Sequence, residues 1–219
     1  MTVFLDSLSF MAAHLPLLLA KTAEHLLLCA AAIGTALVIA VPLGLWLGHT
    51  HRADFLAVSI SNLGRALPTL ALIAILIGIV GLGFANVFTA LVIICVPPVL
   101  TNAYLAVDQV QDDLVRAGRG MGLTGSQVLF RIELPLALPL LFAGVRTAVI
   151  YVIGSATIGG VVGAGGLGDL ILQEAYYGLP GVIAAALWVA ALAILADVLL
   201  YVLQRAVTPS GLRARPALP

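Results

Sequence analysis

Charge is scarce in this sequence. Of its 219 residues 9% are Asp, Glu, Lys or Arg, whereas a soluble domain carries roughly a quarter. Hydrophobic residues make up 62%, more than one soluble core can hide. Lysine occurs once, at Lys21. That excludes a phosphate-cradling G-x-x-x-x-G-K-[ST] loop, whose lysine must reach the nucleotide phosphates. The two cysteines, Cys29 and Cys95, lie inside apolar runs. Neither has a second cysteine at metal-ligand spacing, so both read as small buried hydrophobes. The four histidines, His14, His25, His49 and His51, form no H-E-x-x-H or similar arrangement. They flank apolar runs and are expected at interfaces, with no metal and no other cofactor implied. A formal net charge of zero offers no whole-chain attraction to nucleic acid. The basic start of a cleavable signal peptide is missing too, since Lys21 follows the first apolar stretch, and the N-terminus is expected to be retained.

Long uncharged runs are what the chain has instead. A transmembrane helix needs roughly 20 mostly apolar residues, because about 1.5 Å of rise per residue must cover about 30 Å of hydrocarbon. Residues 26–48 form an uncharged run with Trp46 near its end, suited to the headgroup region. Residues 66–107 are uncharged over about twice one crossing, and Gly81-Leu82-Gly83 with Asn86 divides them into a hairpin of two spans. A fourth span runs over 134–162 with one charge, Arg146, and a fifth over 182–202 with Asp197. An intramembrane charge is a functional hypothesis by default. Both charges lie toward the same predicted side, where pairing or snorkelling is favoured over contact with a solute. The apolar segment 10–20 is too short to cross and is interrupted by His14 and Pro16, so 1–21 reads as an interfacial segment. A membrane domain over 22–206 and a cytoplasmic tail over 207–219 follow.

Basic residues decide orientation, because cytoplasmic loops are enriched in Lys and Arg. Arg52, Arg65, Arg116, Arg119, Arg131, Arg205, Arg213 and Arg215 fall on one side of five spans, and only Lys21 on the other. The connection 162–181 carries Asp169 and Glu174 and no basic residue. The reading is an all-α membrane protein of about five spans with its N-terminus outside and its C-terminus inside.

The longest polar segment, 108–135, describes two short helices. Asp112 and Asp113 are positioned to cap the first, which breaks at Gly120-Met121-Gly122. Thr124 and Gln127 have capping-box spacing for the second. Val128, Leu129 and Ile132 share one face, and Pro135 is expected to end the helix. The apolar face either inserts into a groove on another protein or packs beneath the spans.

The segment Arg116-Ala117-Gly118, three residues, Gly122, nine residues, Ile132, one residue, Leu134-Pro135 resembles the signature loop of ABC-importer permeases. That loop reads E-A-A, then G, then I-x-L-P. Arg116 replaces the glutamate and Gly118 the second alanine, while glycine, isoleucine, leucine and proline are in place. The resemblance is closer to permeases for osmoprotectants such as glycine betaine, carnitine and choline, and extends from about residue 21 to 212. It is carried by Leu67-Pro68-Thr69, Gly120-Met121-Gly122-Leu123-Thr124, Glu133-Leu134-Pro135-Leu136-Ala137-Leu138-Pro139, Ala143-Gly144-Val145-Arg146-Thr147, Gly163-Ala164-Gly165-Gly166-Leu167-Gly168 and Thr208-Pro209.

The resemblance implies a type I importer permease-like fold and a bacterial inner membrane location. It also implies a loop, Arg116 to Pro135, that docks on an ATPase subunit, so this chain is not itself an enzyme. The expected partners are ABC ATPase subunits, an extracytoplasmic binding protein, a second permease copy and membrane lipid. Because the chain ends at Pro219, solute capture is expected on a separate protein. Permeases for amino acids such as methionine share the coupling loop and are the nearest alternative; a self-contained secondary transporter would show midplane ion sites or repeats. Gly163-Ala164-Gly165-Gly166-Leu167-Gly168 also satisfies G-x-G-x-x-G, which signifies nucleotide binding only between a strand and a helix. Following an apolar span, its glycines instead permit tight turns and close packing. Gly163, Gly165 and Gly166, with Tyr104, Tyr151 and Ser155, are the candidate pathway or gate residues.

Overall fold

The computed structural model describes residues 2–51 and 68–208. Arg52, Arg65, Leu67, Pro209, Arg213 and Arg215 lie outside the described residues. Among those described, no strand occurs. The helices are α1 (Thr2–Ala13), α2 (Leu15–Thr50), α3 (Thr69–Val80), α4 (Phe84–Asp108), α5 (Asp112–Gly120), α6 (Gly125–Val128), α7 (Leu134–Ser155), α8 (Gly168–Leu172) and α9 (Glu174–Val207). A π turn, Leu129–Glu133, joins α6 to α7, and a 3₁₀ segment, Ala156–Val162, extends α7. Among the described residues four helical stretches are long and apolar enough to cross a bilayer: Leu15–Thr50, Phe84–Asp108, Gly125–Val162 and Glu174–Val207. They correspond to the predicted first, third, fourth and fifth spans. The predicted second is represented by α3, 12 residues in length.

The helices pack in the order α2, α4, α7, α9, with α1 returning onto α9 and α3 lying on α4. Small residues make this possible. Ala32, Ala36, Ala40, Gly44 and Gly48 recur every four residues along α2, and all are buried. A Cβ on Gly44 would stand 2.7 Å from the Leu100 carbonyl oxygen, and one on Gly48 2.7 Å from that of Tyr104. Without side chains there, the backbones of α2 and α4 come together, the close-approach packing on which membrane helices rely. The large apolar residues point the other way: Val38, Ile79 and Ile194 are mostly exposed. A broad exposed apolar surface around a small-residue interior suits hydrocarbon rather than water.

The hairpin forms where the glycines predict it. Gly81 and Gly83 both take φ near +90°, a region open to glycine and costly for other residues. Asn86 donates from Nδ2 to the Gly81 carbonyl at 2.7 Å, closing the turn. At the N-terminus the helix break falls at His14, with Pro16 in the first turn of α2, where its missing N–H costs nothing. Residues 15–20 are therefore the start of the long helix. α9 changes direction at Gly178, whose φ is 66°.

Two local expectations are corrected. Gln111 is the N-cap of α5, and Asp112 and Asp113 occupy its first turn, where they complement the helix dipole. Pro135 does not end a helix but sits in the first turn of α7. The preceding π turn, in which the Leu134 N–H reaches the Leu129 carbonyl, widens the helix there. That keeps Leu134 helical at φ −59°, ψ −46° despite the proline that follows.

Candidate functional site

Two polar regions lie at opposite ends of α2. The loop end carries α5, α6 and the π turn. Within it Gly118 packs on the Ile132 side chain, and the Leu123 N–H donates to the Gly118 carbonyl at 3.2 Å. Gly122, at φ +84°, turns the chain in open space. Thr124 and Gln127 form the predicted capping box, each satisfying the other's backbone N–H. Val128 is fully buried, Ile132 is half-buried, and Leu129 packs against a small cluster containing Leu45, Ala103 and Val107. Of the predicted apolar face, Val128 and Leu129 are turned inward, while Ile132 also borders a groove on the surface. The apolar residues presented outward are Leu114, Met121 and Phe130, at 42%, 75% and 61% exposure. A groove of about 470 Å³ lies beside Leu114 and Met121, lined also by Ala117, Arg131, Ile132 and Pro135. Arg116 is exposed beside it, 3.3 Å from Asp113 of the same helix.

Helical spacing sets Phe130 apart from the predicted face. At about 100° per residue Ile132 falls near Val128, while Phe130 lies about 200° round. The continuous run Val128-Leu129-Phe130 masks that separation in sequence.

The loop is fastened to α2 at both ends. His49 donates from Nδ1 to the Glu133 carboxylate at 2.6 Å, and Glu133 is almost fully buried. His51 makes the equivalent bond to Asp108 at 2.8 Å. Pairing over such sequence distances leaves no periodic trace.

At the turn end Gly163, Gly165 and Gly166 all have positive φ. Glu24 accepts the Gly166 N–H at 2.9 Å and a bond from Lys21 at 2.8 Å. Lys21 also reaches Asp169 at 2.8 Å. One turn below, His25 is fully buried rather than interfacial, and its Nε2 donates to the Ile153 carbonyl at 3.0 Å, just before α7 tightens into the 3₁₀ segment. Gly168 lies against the Thr157 carbonyl, and a Cβ on Gly160 would stand 2.6 Å from the Gly168 backbone. The glycine pattern thus sits between a 3₁₀ segment and α8, in a packing role.

The remaining candidates separate. Tyr151 and Ser155 share a surface concavity of about 500 Å³ with Thr69, Gly154 and Thr157, and the Tyr151 hydroxyl stands 3.4 Å from Thr69 Oγ1. Tyr104 does not join them: it is buried, with its backbone carbonyl against Gly48. Arg146 and Asp197 form a bidentate pair at 2.7 and 2.8 Å, with the guanidinium 5.2 Å from the Tyr201 ring centre. This is the structural pairing favoured for two charges within apolar spans. Among the described residues no group of three or more His, Cys, Asp or Glu is arranged to hold a metal.

Residues 40–209 match the family model described as binding-protein-dependent transport system inner membrane component. The glycine betaine/carnitine/choline transport system permease protein OpuCB of Bacillus subtilis is 38% identical over 90% of this chain and 91% of its own length. The osmoprotectant import permease protein OsmW of Salmonella typhimurium is 36% identical over 95% of this chain and its whole length. A solved chain of the MetNI methionine ABC transporter, in an inward-facing conformation, superposes with a TM-score of 0.78 at 27% identity, covering 90% of this chain and 99% of that one. The four membrane-length helices, the loop that keeps the signature spacing, and these matches have one explanation: the chain belongs to the family of inner membrane components of binding-protein-dependent transport systems.

Proposed function

We propose that this chain is the permease subunit of an ATP-driven importer of osmoprotectants, of which glycine betaine, carnitine and choline are the leading candidates. Two separate ATPase subunits supply the energy, an extracytoplasmic binding protein delivers the solute, and a second permease copy completes the pathway. The loop end lies in the cytoplasm and the turn end outside, which puts Arg116, Arg119 and Arg131 on the inner side as the positive-inside rule requires.

The observation that carries this reading is the loop. It keeps the Gly122, Ile132, Leu134 and Pro135 spacing, borders a groove with Leu114 and Met121, and leaves Phe130 exposed. Exposed apolar side chains beside Arg116 and Arg131 on a rigid helical scaffold suit insertion into a cleft of another protein. Closure of the ATPase pair displaces the loop, and the attached spans convert that displacement into exposure of the pathway to one side or the other. The concavity at Tyr151 and Ser155 is the pathway face. Its exposed tyrosine ring offers a quaternary ammonium a cation–π surface without needing a hydrogen-bond donor on the solute. One relative named for glycine betaine, carnitine and choline, at 38% identity, and another named for osmoprotectants, at 36%, both over at least nine-tenths of the chain, support the solute class.

The test is reconstitution in liposomes with the ATPase and binding protein encoded beside it, measuring ATP-dependent uptake of labelled glycine betaine, choline, carnitine and methionine. Uptake of the first three that needs all components, and is lost in Gly122→Asp, is the expected result. Uptake by the chain alone would make it a secondary transporter, and uptake of methionine only would move it to the amino-acid importers.

A further inference from the structure

Side-chain bonds tie α2 to both ends of the molecule, beside α7, which joins the same ends through the chain itself. Near its C-terminal end His49 and His51 bind Glu133 and Asp108, the residues that bracket the loop on either side. Nearer its N-terminal end Lys21, Glu24 and His25 hold Asp169, the Gly166 N–H and the Ile153 carbonyl. Glu24 and His49 are roughly 37 Å apart at about 1.5 Å per residue, and the helix between them is continuous. Pro42 removes one backbone donor within it, but Ala40, Gly44 and Gly48 are pressed on α4 around that point, so α4 splints the weak turn.

We infer that α2 is a relay between the two ends, acting alongside the covalent path through α7: His49 and His51 receive the displacement of the loop, and Lys21, Glu24 and His25 deliver it to turn 163–169. This inference rests on the proposed importer function and names the residues through which that importer couples. The nearly buried Glu133 carboxylate makes His49 the principal input. A buried carboxylate deprived of its partner is costly, so the pair moves as one body. At the output Glu24 and Asp169 are joined through a single ammonium, and Glu24 also holds the turn's backbone. A shift of α2 along its axis therefore moves the turn. His49 and Glu133 are positioning residues, since neither lines the exposed groove nor the concavity.

The experiment uses the reconstituted importer with its ATPase and binding protein. It reads solute taken up per ATP hydrolysed, and the change in maleimide labelling of Val161→Cys, an exposed site beside the turn, when ATP and vanadate are added. His49→Ala and Glu133→Ala are expected to assemble, to keep ATP hydrolysis, and to lose uptake per ATP by about three- to thirtyfold. Their Val161→Cys labelling no longer responds to nucleotide, and the double variant loses no more than the worse single one. Additive losses, or assembled variants whose uptake per ATP and labelling response match those of the unmodified chain, would overturn the relay. If the alanine variants fail to assemble, Glu133→Gln, of equal size, is read in the same way: a lower ratio supports the relay, an unchanged one overturns it. An unmodified chain that takes up no solute on ATP defeats the importer proposal itself, which separates the two failures.

Discussion

The loop end and the turn end are both rich in glycine, yet they use it for opposite purposes. At the turn end Gly160 and Gly168 allow backbone to lie on backbone, and Leu167 and Leu170 are wholly buried. At the loop end Gly122 has open space around it and supplies only a positive φ, while Met121 and Phe130 stand out from the surface. One end is packed into its own bundle, and the other leaves apolar side chains exposed. Glycine in a membrane protein therefore needs its surroundings before it has a meaning.

Substitutions can break that contrast. The largest effect is expected at the turn end, where a methyl group on Gly168 would meet the Thr157 carbonyl and the Gly160 backbone nitrogen, neither of which can rotate away as a side chain can. Gly168→Ala should cost about 3 kcal/mol, seen as loss of thermal stability in detergent. Next comes the exposed face of the loop. Phe130→Asp should leave the permease folded but weaken ATPase binding by about 2 kcal/mol, roughly thirtyfold in Kd, measured by titration of the purified subunits; unchanged affinity would remove Phe130 from the docking surface. Gly122→Ala meets no atom and is penalised only for its φ, at about 1 kcal/mol, again read by thermal unfolding. Smallest is Gly118→Ala, whose methyl group meets the terminal carbon of Ile132. A flexible side chain end can rotate away, so a loss below about 1 kcal/mol is expected. A penalty at Gly118 equal to that at Gly168 would show the loop end to be as tightly packed as the turn end.

The spans were legible because they rest on one-dimensional properties. Uncharged length located the four long helices, Gly81 and Gly83 located the hairpin, and the spacing of Thr124 and Gln127 located a cap. The sites were legible only in part. Ile132 and Val128 were recognisable as one face, but hydrophobicity does not say what a face meets, and here both pack on Gly118 within the loop while Ile132 also borders the surface groove. Tyr104 and Tyr151 carry the same chemistry in sequence. One is buried and the other opens onto a concavity, a difference set by helix rotation.

By itself the sequence determined that this protein is helical, crosses a membrane and carries the spacing of a coupling loop, because hydrocarbon thickness, backbone hydrogen bonding and turn chemistry act on neighbouring residues. Only the tertiary structure decided which residues meet across that framework. His49 with Glu133 and Lys21 with Asp169 are 84 and 148 positions apart. Their encounter follows from how small-residue faces let helices approach and rotate against one another, and no local pattern encodes it.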